Sequence, residues 1–352
     1  MLSPRLADDG VASRSLNDIQ RAARDSLLRK LADGTYATID SPCLLCGGND
    51  LEPVSDKDRY GLPMAVQVCR GCGLVQTTPR MDADAYAGFY DDEYRPLYGG
   101  RDQATEGFWL HQVEHGQRIL RWLDRHDLRP PSHSRVVEVG CGAGGILQAF
   151  AEAGYEVAGV DLGSDLIAYG RDERGLDLRV GTIDDVPGAA DLLIYSHVFE
   201  HITDPLRELD AMARMLAGRG LVYLEVPGIK NLGHYSDDLL DYLQNAHVTH
   251  FSLATLQAMA AQRSFHLRAG DEVVQAAFVP PGLDEVVASG APPSDDYESV
   301  LASLRAAERR RPWRLRLRPL ERIPRRLRAV RRLGLKRALD STRQRRVTQD
   351  QK

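Results

Sequence analysis

Short apolar runs alternate with amphipathic segments through the middle of the chain. Residues 136–139, apolar except for Glu138, and residues 157–160 are short runs of the kind that form strands buried on both faces of a sheet. Residues 146–153, between them, have the periodicity of a helix. The alternation continues to residue 279 and gives about seven strands, with helices between the early ones. The pattern therefore predicts an α/β fold: a seven-stranded, doubly wound, Rossmann-like sheet that ends in an antiparallel pair.

A glycine turn joins the first predicted strand to its helix. Gly140, Gly142 and Gly144 fit G-x-G-x-G, and Gly145 also completes G-x-G-x-x-G, so the spacing alone does not choose a nucleotide cofactor. Asp161 ends the second strand about twenty residues further on, where an acid can accept hydrogen bonds from both ribose hydroxyls. This segment predicts a nucleotide-binding half-fold.

Glu138 distinguishes between two cofactor classes. It lies just before the glycine turn, where dinucleotide-binding strands usually carry an apolar residue. An acid there can accept a hydrogen bond from an ammonium group, which S-adenosylmethionine (SAM) has and NAD lacks. Asp184, in the later loop GTIDDVP, can accept from the adenine amino group. We therefore predict that Glu138, the three glycines, Asp161 and Asp184 bind SAM.

Four of the five cysteines form two C-x-x-C pairs before the sheet. Cys43, Cys46, Cys69 and Cys72 have the spacing C-x2-C-x22-C-x2-C, and a glycine follows each pair. Four thiolates in this arrangement suit a closed, tetrahedral zinc site with a structural role. Free cysteines in a small β unit and an iron-sulfur cluster are the alternatives.

An aromatic segment, residues 81–100, follows the cysteines. Tyr86, Phe89 and Tyr90 have helical spacing and suit a helix packed on a core. Tyr94 and Tyr98 lie beyond them, before a Gly-Gly pair, where a loop is expected. The segment from Tyr94 to Tyr98 is either more core or a lid over a bound ligand, and we assign Tyr94 to the cofactor site.

The segments VVEVGCGAGG, VAGVD, GTIDDVP, SHVFEHITDP and GRGLVYLEVP together resemble class I SAM-dependent methyltransferases over residues 134–280. The cysteine pairs and FYDDEYRPLYGG resemble a subgroup of bacterial methyltransferases that act on sugars, including sugar C-methyltransferases of surface polysaccharide or natural-product assembly. The resemblance implies methyl transfer to a nucleotide-linked, polysaccharide or lipid-linked sugar.

In the sugar C-methyltransferases, a histidine after the fourth strand and an acid-histidine pair after the fifth serve the substrate. His201 and His247 match the histidines, but Ala246 stands where the acid is expected. The following lobe is also shorter than in that subgroup, so C-methylation is less favoured than O-methylation. A positioned imidazole can deprotonate an acceptor hydroxyl. We predict His247 as the base and His201 as a second catalytic residue, with His250 a weaker candidate.

Three other functions fit parts of the sequence. An RNA methyltransferase would explain a zinc unit with a basic region, although SHVFEH stands where an amino-methylation motif is expected. An O-methyltransferase resembling the ubiquinone-pathway enzymes would explain the Glu-His pair after the fourth strand. A non-enzymatic scaffold is disfavoured by the intact glycine turn, Glu138 and Asp161.

Charge is distributed unevenly along the chain. Residues 301–352 hold 19 Lys and Arg against four Asp and Glu, whereas residues 1–300 hold 26 against 46. The basic C-terminal segment suits an anionic membrane surface, or it is a solvated tail. The acidic body makes nucleic acid an unlikely partner. The N-terminus lacks the apolar core of a signal peptide, and no apolar run reaches the length of a membrane span. These features predict a cytoplasmic protein, peripheral at the inner membrane face if the tail binds lipid.

The same features divide the chain into five segments. We predict a flexible leader with one helix, a zinc-binding unit, an aromatic lid with linking helices, the SAM-binding methyltransferase domain, and a basic helical or disordered tail. Their predicted bounds are 1–38, 39–80, 81–130, 131–282 and 283–352.

Overall fold

The computed structural model describes residues 1–99, 106–216, 220–235, 238–281 and 296–321, with side chains to residue 312 in the last range. Its contacts divide the chain into two compact units, Met1–Glu308 and Arg309–Lys352. The predicted zinc-binding unit, aromatic segment and methyltransferase domain all belong to the first unit. In the second unit, the described residues continue a helix to Glu321.

The helices and strands follow the predicted order. The helices are α1 (Asp18–Ala32), α2 (Ala83–Asp92), α3 (Tyr94–Gly99), α4 (Glu106–Arg125), α5 (Gly145–Glu152), α6 (Ser164–Ala168), α7 (Pro205–Leu216), α8 (Leu232–Tyr235), α9 (Leu239–Tyr242), α10 (Leu253–Ala261) and α11 (Tyr297–Glu321). The strands are β1 (Thr38–Ile39), β2 (Leu51–Lys57), β3 (Pro63–Cys69), β4 (Val75–Thr77), β5 (Arg80–Met81), β6 (Arg135–Val139), β7 (Glu156–Asp161), β8 (Leu178–Val180), β9 (Leu192–Ser196), β10 (Leu221–Glu225), β11 (Thr249–His250), β12 (His266–Gly270) and β13 (Gln275–Val279).

The central sheet has seven strands in the order β12-β13-β10-β9-β6-β7-β8. Strands β10, β9, β6, β7 and β8 are parallel, and β13 pairs antiparallel with both β10 and β12. The order reverses at β6, so the carboxyl ends of β6 and β9 flank the crevice where ligands bind in such sheets. The predicted seven-stranded, Rossmann-like sheet with a closing antiparallel pair is confirmed.

Apolar residues cover both faces of the central sheet. Val137 and Val139 of β6 belong to one buried cluster, and Val136 belongs to the cluster on the other face. Helix α4 crosses α5 closely at Gly116, where an added Cβ would lie 2.6 Å from the carbonyl oxygen of Ile146. This contact brings α4 beside the glycine turn.

A second sheet has four strands in the order β11-β4-β3-β2. Strands β2, β3 and β4 come from the cysteine-containing segment. Strand β11 comes from the loop after β10, and it pairs antiparallel with β4 through Thr249 opposite Gln76 and His250 opposite Val75. The loop that carries His247 is therefore anchored on the cysteine-containing sheet.

Two predicted segments are better ordered than expected. The leader was predicted to be flexible, but Leu6 is fully buried and Arg5 pairs with Asp238 at 2.7 Å. The C-terminal segment was predicted to be a tail from residue 283, yet Val300 and Leu304 are fully buried in the first unit. In both segments, buried apolar side chains hold a mainly polar stretch of chain against the protein core. The basic stretch after residue 321 lies outside the described residues, and so does its predicted membrane contact.

The segment from Tyr94 to Tyr98 was predicted to be a loop, and it is helix α3 instead. The rings of Tyr94 and Tyr98 each pack edge-on against Phe89, with centroids 5.9 and 6.3 Å away, and Leu97 is fully buried. Tyrosines four residues apart share one helical face, so burial of this face favours the helix. Over the residues that can be described, we find no helix with the length and apolar character to cross a membrane.

Candidate active site

The glycine turn has the conformation that only glycine adopts without strain. Gly140, Gly142 and Gly144 have φ angles of 71°, 55° and 78°. A Cβ added at Gly140 would lie 2.3 Å from Cγ2 of Val198, which follows β9. The loops after β6 and β9 therefore approach each other closely, and only glycine fits at this point of the turn.

Glu138 lies at the carboxyl end of β6 and is 1% exposed. Burial, with a contribution from the nearby Asp161, raises the pKa of this carboxyl group well above its ordinary value. Within the described ranges, its Oε2 atom has no hydrogen-bond partner. A buried acceptor without a donor is costly, and the ammonium group of SAM would supply both a donor and a positive charge.

Asp161 is bound to the turn itself. Its Oδ2 accepts a 2.8 Å hydrogen bond from the amide of Gly142, and its Oδ1 accepts a 2.7 Å hydrogen bond from the amide of Gly163. Each carboxylate oxygen has two acceptor positions, so one on each remains for a ribose hydroxyl. Asp161 therefore fits the predicted role and also holds the glycine turn in place.

Asp184 lies in a 3₁₀ turn, Ile183–Asp185, after β8. Its Oδ1 is 3.3 Å from a guanidinium nitrogen of Arg214 on α7. The neighbouring Asp185 accepts a hydrogen bond from the amide of Thr182 at 2.8 Å and so caps the turn. The contact of Asp184 with adenine stays a prediction.

His201 and His247 meet around a carboxylate that the sequence did not single out. Their ring centroids are 4.9 Å apart and nearly perpendicular. Glu200 Oε1 lies 3.8 Å from Nε2 of His201 and 3.9 Å from Nε2 of His247. Glu200 is 2% exposed, and neither of its oxygens has a hydrogen-bond partner in the described part of the chain. The signal for Glu200 was its position directly before His201.

Burial keeps these imidazoles neutral near pH 7. It lowers the pKa of His201, and it lowers the pKa of His247 well below the ordinary value, with His201 and His250 adding to the effect. Burial likewise lowers the pKa of His250 to about 3. A neutral imidazole has a lone pair that can take a proton, so His201 and His247 are both able to act as bases.

A second histidine network lies at the end of β10. Glu225 Oε2 accepts hydrogen bonds from Nε2 of His115, on α4, at 2.9 Å and from the hydroxyl of Tyr223 at 2.8 Å. Burial alone would raise the pKa of Glu225, but His115 and the nearby His197 lower it to about 2. His115 and Glu225 are 110 residues apart, and sequence reasoning missed this pair.

Tyr94 lies beside the histidines, with its ring centroid 6.1 Å from that of His201. Burial raises its pKa, and the carboxylates of Glu200 and Asp161 raise it further. The neighbouring Tyr90 forms a 2.9 Å hydrogen bond with Nδ1 of His201. The aromatic segment therefore packs against His201, and its contact with the cofactor and its role as a lid stay predictions.

The four predicted metal ligands come together at the edge of the second sheet. Sγ of Cys43 is 3.4 Å from Sγ of Cys72, and the Cys46 and Cys69 sulfurs are 3.5 Å apart. All four sulfurs lie within 4.8 Å of one another. Tetrahedral zinc with Zn–S bonds of about 2.3 Å separates its sulfurs by about 3.8 Å, so the cluster fits zinc.

Residues 109–269 match the family described as "Methyltransferase domain". The match assigns residues 109–269, somewhat less than half of the chain, to that family. The predicted enzyme class, a SAM-dependent methyltransferase, is thereby confirmed for this domain, which contains Glu138, the glycine turn, Asp161, His201 and His247.

Two curated relatives are methyltransferases of different kinds. C-methyltransferase NovU of Streptomyces niveus is 28% identical over 292 residues, which cover 76% of this chain and 65% of NovU. A ubiquinone biosynthesis O-methyltransferase of Xanthomonas campestris pv. campestris (strain B100) is 32% identical over 100 residues, covering 26% of this chain and 42% of that enzyme. The chain thus spans less than two thirds of either relative.

Among solved structures, the PH0226 protein from Pyrococcus horikoshii OT3 is similar over 53% of this chain and 98% of its own, with 16% identity and a TM-score of 0.42. SAM-bound CalS10 from Micromonospora echinaspora, an amino pentose methyltransferase, is similar over 38% of this chain and 55% of its own. That likeness has 24% identity and a TM-score of 0.29.

Proposed function

We propose that the chain transfers the methyl group of SAM to a hydroxyl group of a sugar, nucleotide-linked or part of a polysaccharide or lipid-linked glycan. The observation that carries the proposal is the buried group of His201, His247 and Glu200 after β9, with the ring of Tyr94 next to that of His201. This arrangement has a proton acceptor next to a cofactor site.

The chain's residues have distinct roles in the proposed reaction. Glu138 holds the ammonium group of SAM and Asp161 its ribose hydroxyls, and SAM supplies an activated methyl group on a positively charged sulfur. His247 takes the proton of the acceptor hydroxyl as its oxygen bonds to the methyl carbon, and the electron pair of the broken S–C bond stays on sulfur. His201 orients the acceptor. Alignment of the acceptor within the crevice supplies much of the rate enhancement, because the donor is already activated.

The lining of the crevice supports a sugar acceptor. Tyr90 and Tyr94, with ring centroids 4.8 Å apart, offer aromatic surface beside the histidines. A sugar ring has C–H faces that pack on aromatic rings and hydroxyls that bond to buried polar groups, so it matches both kinds of lining. A resemblance to sugar methyltransferases in the sequence supports the same class.

We also propose that Cys43, Cys46, Cys69 and Cys72 hold a structural zinc ion. With four thiolate ligands, the ion has no open position for a substrate. Its role is to fix the sheet on which β11 pairs, and through β11 the loop that carries His247.

The acceptor class is tested by incubating purified protein with methyl-labelled SAM and, separately, nucleotide sugars, glycan extracts, RNA and small phenols. We expect label in a sugar-containing fraction, followed by mass spectrometry of the methylated product. Label in RNA or in the phenols would replace the proposed acceptor while leaving methyl transfer intact. Failure of SAM to bind by calorimetry would contradict the activity itself.

A further inference from the structure

Glu200 places a carboxylate in a buried position, which is costly unless hydrogen-bond donors or positive charges lie close to it. It lies in the 3₁₀ turn Phe199–His201 after β9, and its carbonyl oxygen accepts a 2.9 Å hydrogen bond from the amide of Val248. That bond joins the turn to the segment carrying His247. The side chain is buried beside three imidazoles, although its two oxygens accept no hydrogen bond from any residue the structure describes.

The three imidazoles converge on one oxygen. Glu200 Oε1 lies 3.7 Å from Nδ1 of His197, 3.8 Å from Nε2 of His201 and 3.9 Å from Nε2 of His247. These distances are about 1 Å longer than a charge-assisted hydrogen bond. Catalytic hydrogen bonds are often long before substrate binds and shorten in the complex, and a small rotation of the carboxylate would close any of them.

The surroundings of the other ring nitrogens bear on which nitrogen of each imidazole carries the proton. Nδ1 of His201 is bonded to the hydroxyl of Tyr90, which can donate to it. Nδ1 of His247 is buried and has no hydrogen-bond partner among the described residues. If Nε2 of each ring carries its single proton toward Glu200, Nδ1 of His201 accepts from Tyr90 and Nδ1 of His247 has a free lone pair.

We propose that Glu200 is the positioning residue of this site: it accepts the Nε2–H of His247, fixes that tautomer, and makes Nδ1 the atom that takes the acceptor's proton. The carboxylate also stabilises the imidazolium that forms when Nδ1 is protonated. The logic is that of an acid behind a catalytic histidine. Here the acid comes from the loop after β9, since position 246 is an alanine.

A proton on His247 is costly where the ring lies. Burial is the largest reason for its low pKa, and the nearby His201, His250, Arg59 and His197 lower it further. A carboxylate at 3.9 Å offsets this cost and lets His247 accept a proton during turnover.

The first test is NMR of protein labelled with ¹⁵N-histidine, with His247 assigned from the spectrum of His247→Gln. We expect His247 as the Nε2–H tautomer in the wild type. In Glu200→Gln, which keeps the volume but removes the charge, we expect the His247 pKa to fall by about one unit. Glu208→Gln is the control, because Glu208 accepts its hydrogen bond from Tyr195 outside this cluster.

The second test, which rests on the proposed function, uses the acceptor identified from the panel. We expect kcat to fall about 100-fold in Glu200→Gln, with unchanged SAM affinity and partial recovery in Glu200→Asp. The rise of kcat/KM with pH should move to lower pH, because loss of the carboxylate makes His247 easier to deprotonate. A purely structural role would not move this profile.

Three results would overturn the inference without any measurement of turnover. These are an Nδ1–H tautomer of His247 in the wild type, an unchanged His247 pKa in Glu200→Gln, or a metal ion beyond the cysteine-bound zinc that Glu200→Gln removes. The NMR readouts need no acceptor, so they decide the role of Glu200 even if no sugar is methylated. Conversely, full turnover by Glu200→Gln would reject this role and leave the proposed methyl transfer standing.

Discussion

The hydroxyl of Thr77 donates a 2.8 Å hydrogen bond to the carbonyl oxygen of His247. Thr77 ends β4 in the cysteine-containing sheet, and its amide also bonds to the carbonyl oxygen of Val248 at 2.9 Å. The segment after the fifth strand of the central sheet is therefore built into the small N-terminal sheet. The position of the proposed base depends on an element that contributes no residue to the cofactor site.

This connection leads to a prediction for the cysteines. We expect Cys72→Ala to lose the bound zinc, to unfold at lower temperature, and to lose at least ten-fold in turnover, while SAM affinity changes little. Elemental analysis, thermal unfolding and calorimetry measure the three effects. Cys141→Ala is the matched control for metal content, because Cys141 lies in the glycine turn and should leave zinc in place. Zinc retained by Cys72→Ala would contradict the assignment.

Asp161 carries a prediction for the cofactor site. In Asp161→Asn, we expect the dissociation constant for SAM to rise about ten-fold or more, because charge-assisted hydrogen bonds to the ribose are weakened. Calorimetric titration measures it, with the exposed Asp177→Asn as control. Equal affinity in Asp161→Asn and the wild type would remove Asp161 from the cofactor site.

Glu225 carries a prediction for pH. Its carboxyl has a pKa lowered from 4.5 to about 2, so its charge stabilises the fold above pH 4.5, and this stabilisation is lost as the pH falls toward 2. Thermal unfolding from pH 7 to pH 3 should show Glu225→Gln less stable than the wild type, by a margin that shrinks below pH 4.5.

Glu208→Gln is the control for this prediction, and its stability relative to the wild type should change with pH in the opposite direction. Burial raises the pKa of Glu208, so its ionised form destabilises the fold, and the stability of the wild type relative to Glu208→Gln should improve as the pH falls. If the difference in stability between the wild type and Glu225→Gln stayed constant with pH, it would contradict the assigned charge of Glu225.

The sequence predicted the central sheet well, because most of its strands are short, largely apolar runs and the glycine turn has a restrictive spacing. The helix from Tyr94 was missed, because Pro96 and the Gly-Gly pair suggest a loop, whereas burial of Tyr94, Leu97 and Tyr98 on Phe89 stabilises a helix. Local sequence gives no measure of such tertiary packing.

The histidines were found from their motifs, but the groups that act on them were not. Glu200 and His247 are 47 positions apart in the sequence. His115, on α4, and Glu225, at the end of β10, are 110 positions apart. Each contact depends on how separate elements pack, in the first case on the pairing of β11 with β4. Spacing along the chain cannot predict contacts of this kind.

Turnover by His247→Ala, with the acceptor that takes label from SAM, tests most directly whether His247 is the base. We expect a loss of at least 100-fold in kcat, with SAM affinity within two-fold of the wild type, because proton removal is impaired and the cofactor site is intact. His126 directly follows α4 and lies outside the site, so His126→Ala is the control and should keep full turnover. Near-wild-type kcat in His247→Ala would contradict the central claim that His247 is the base.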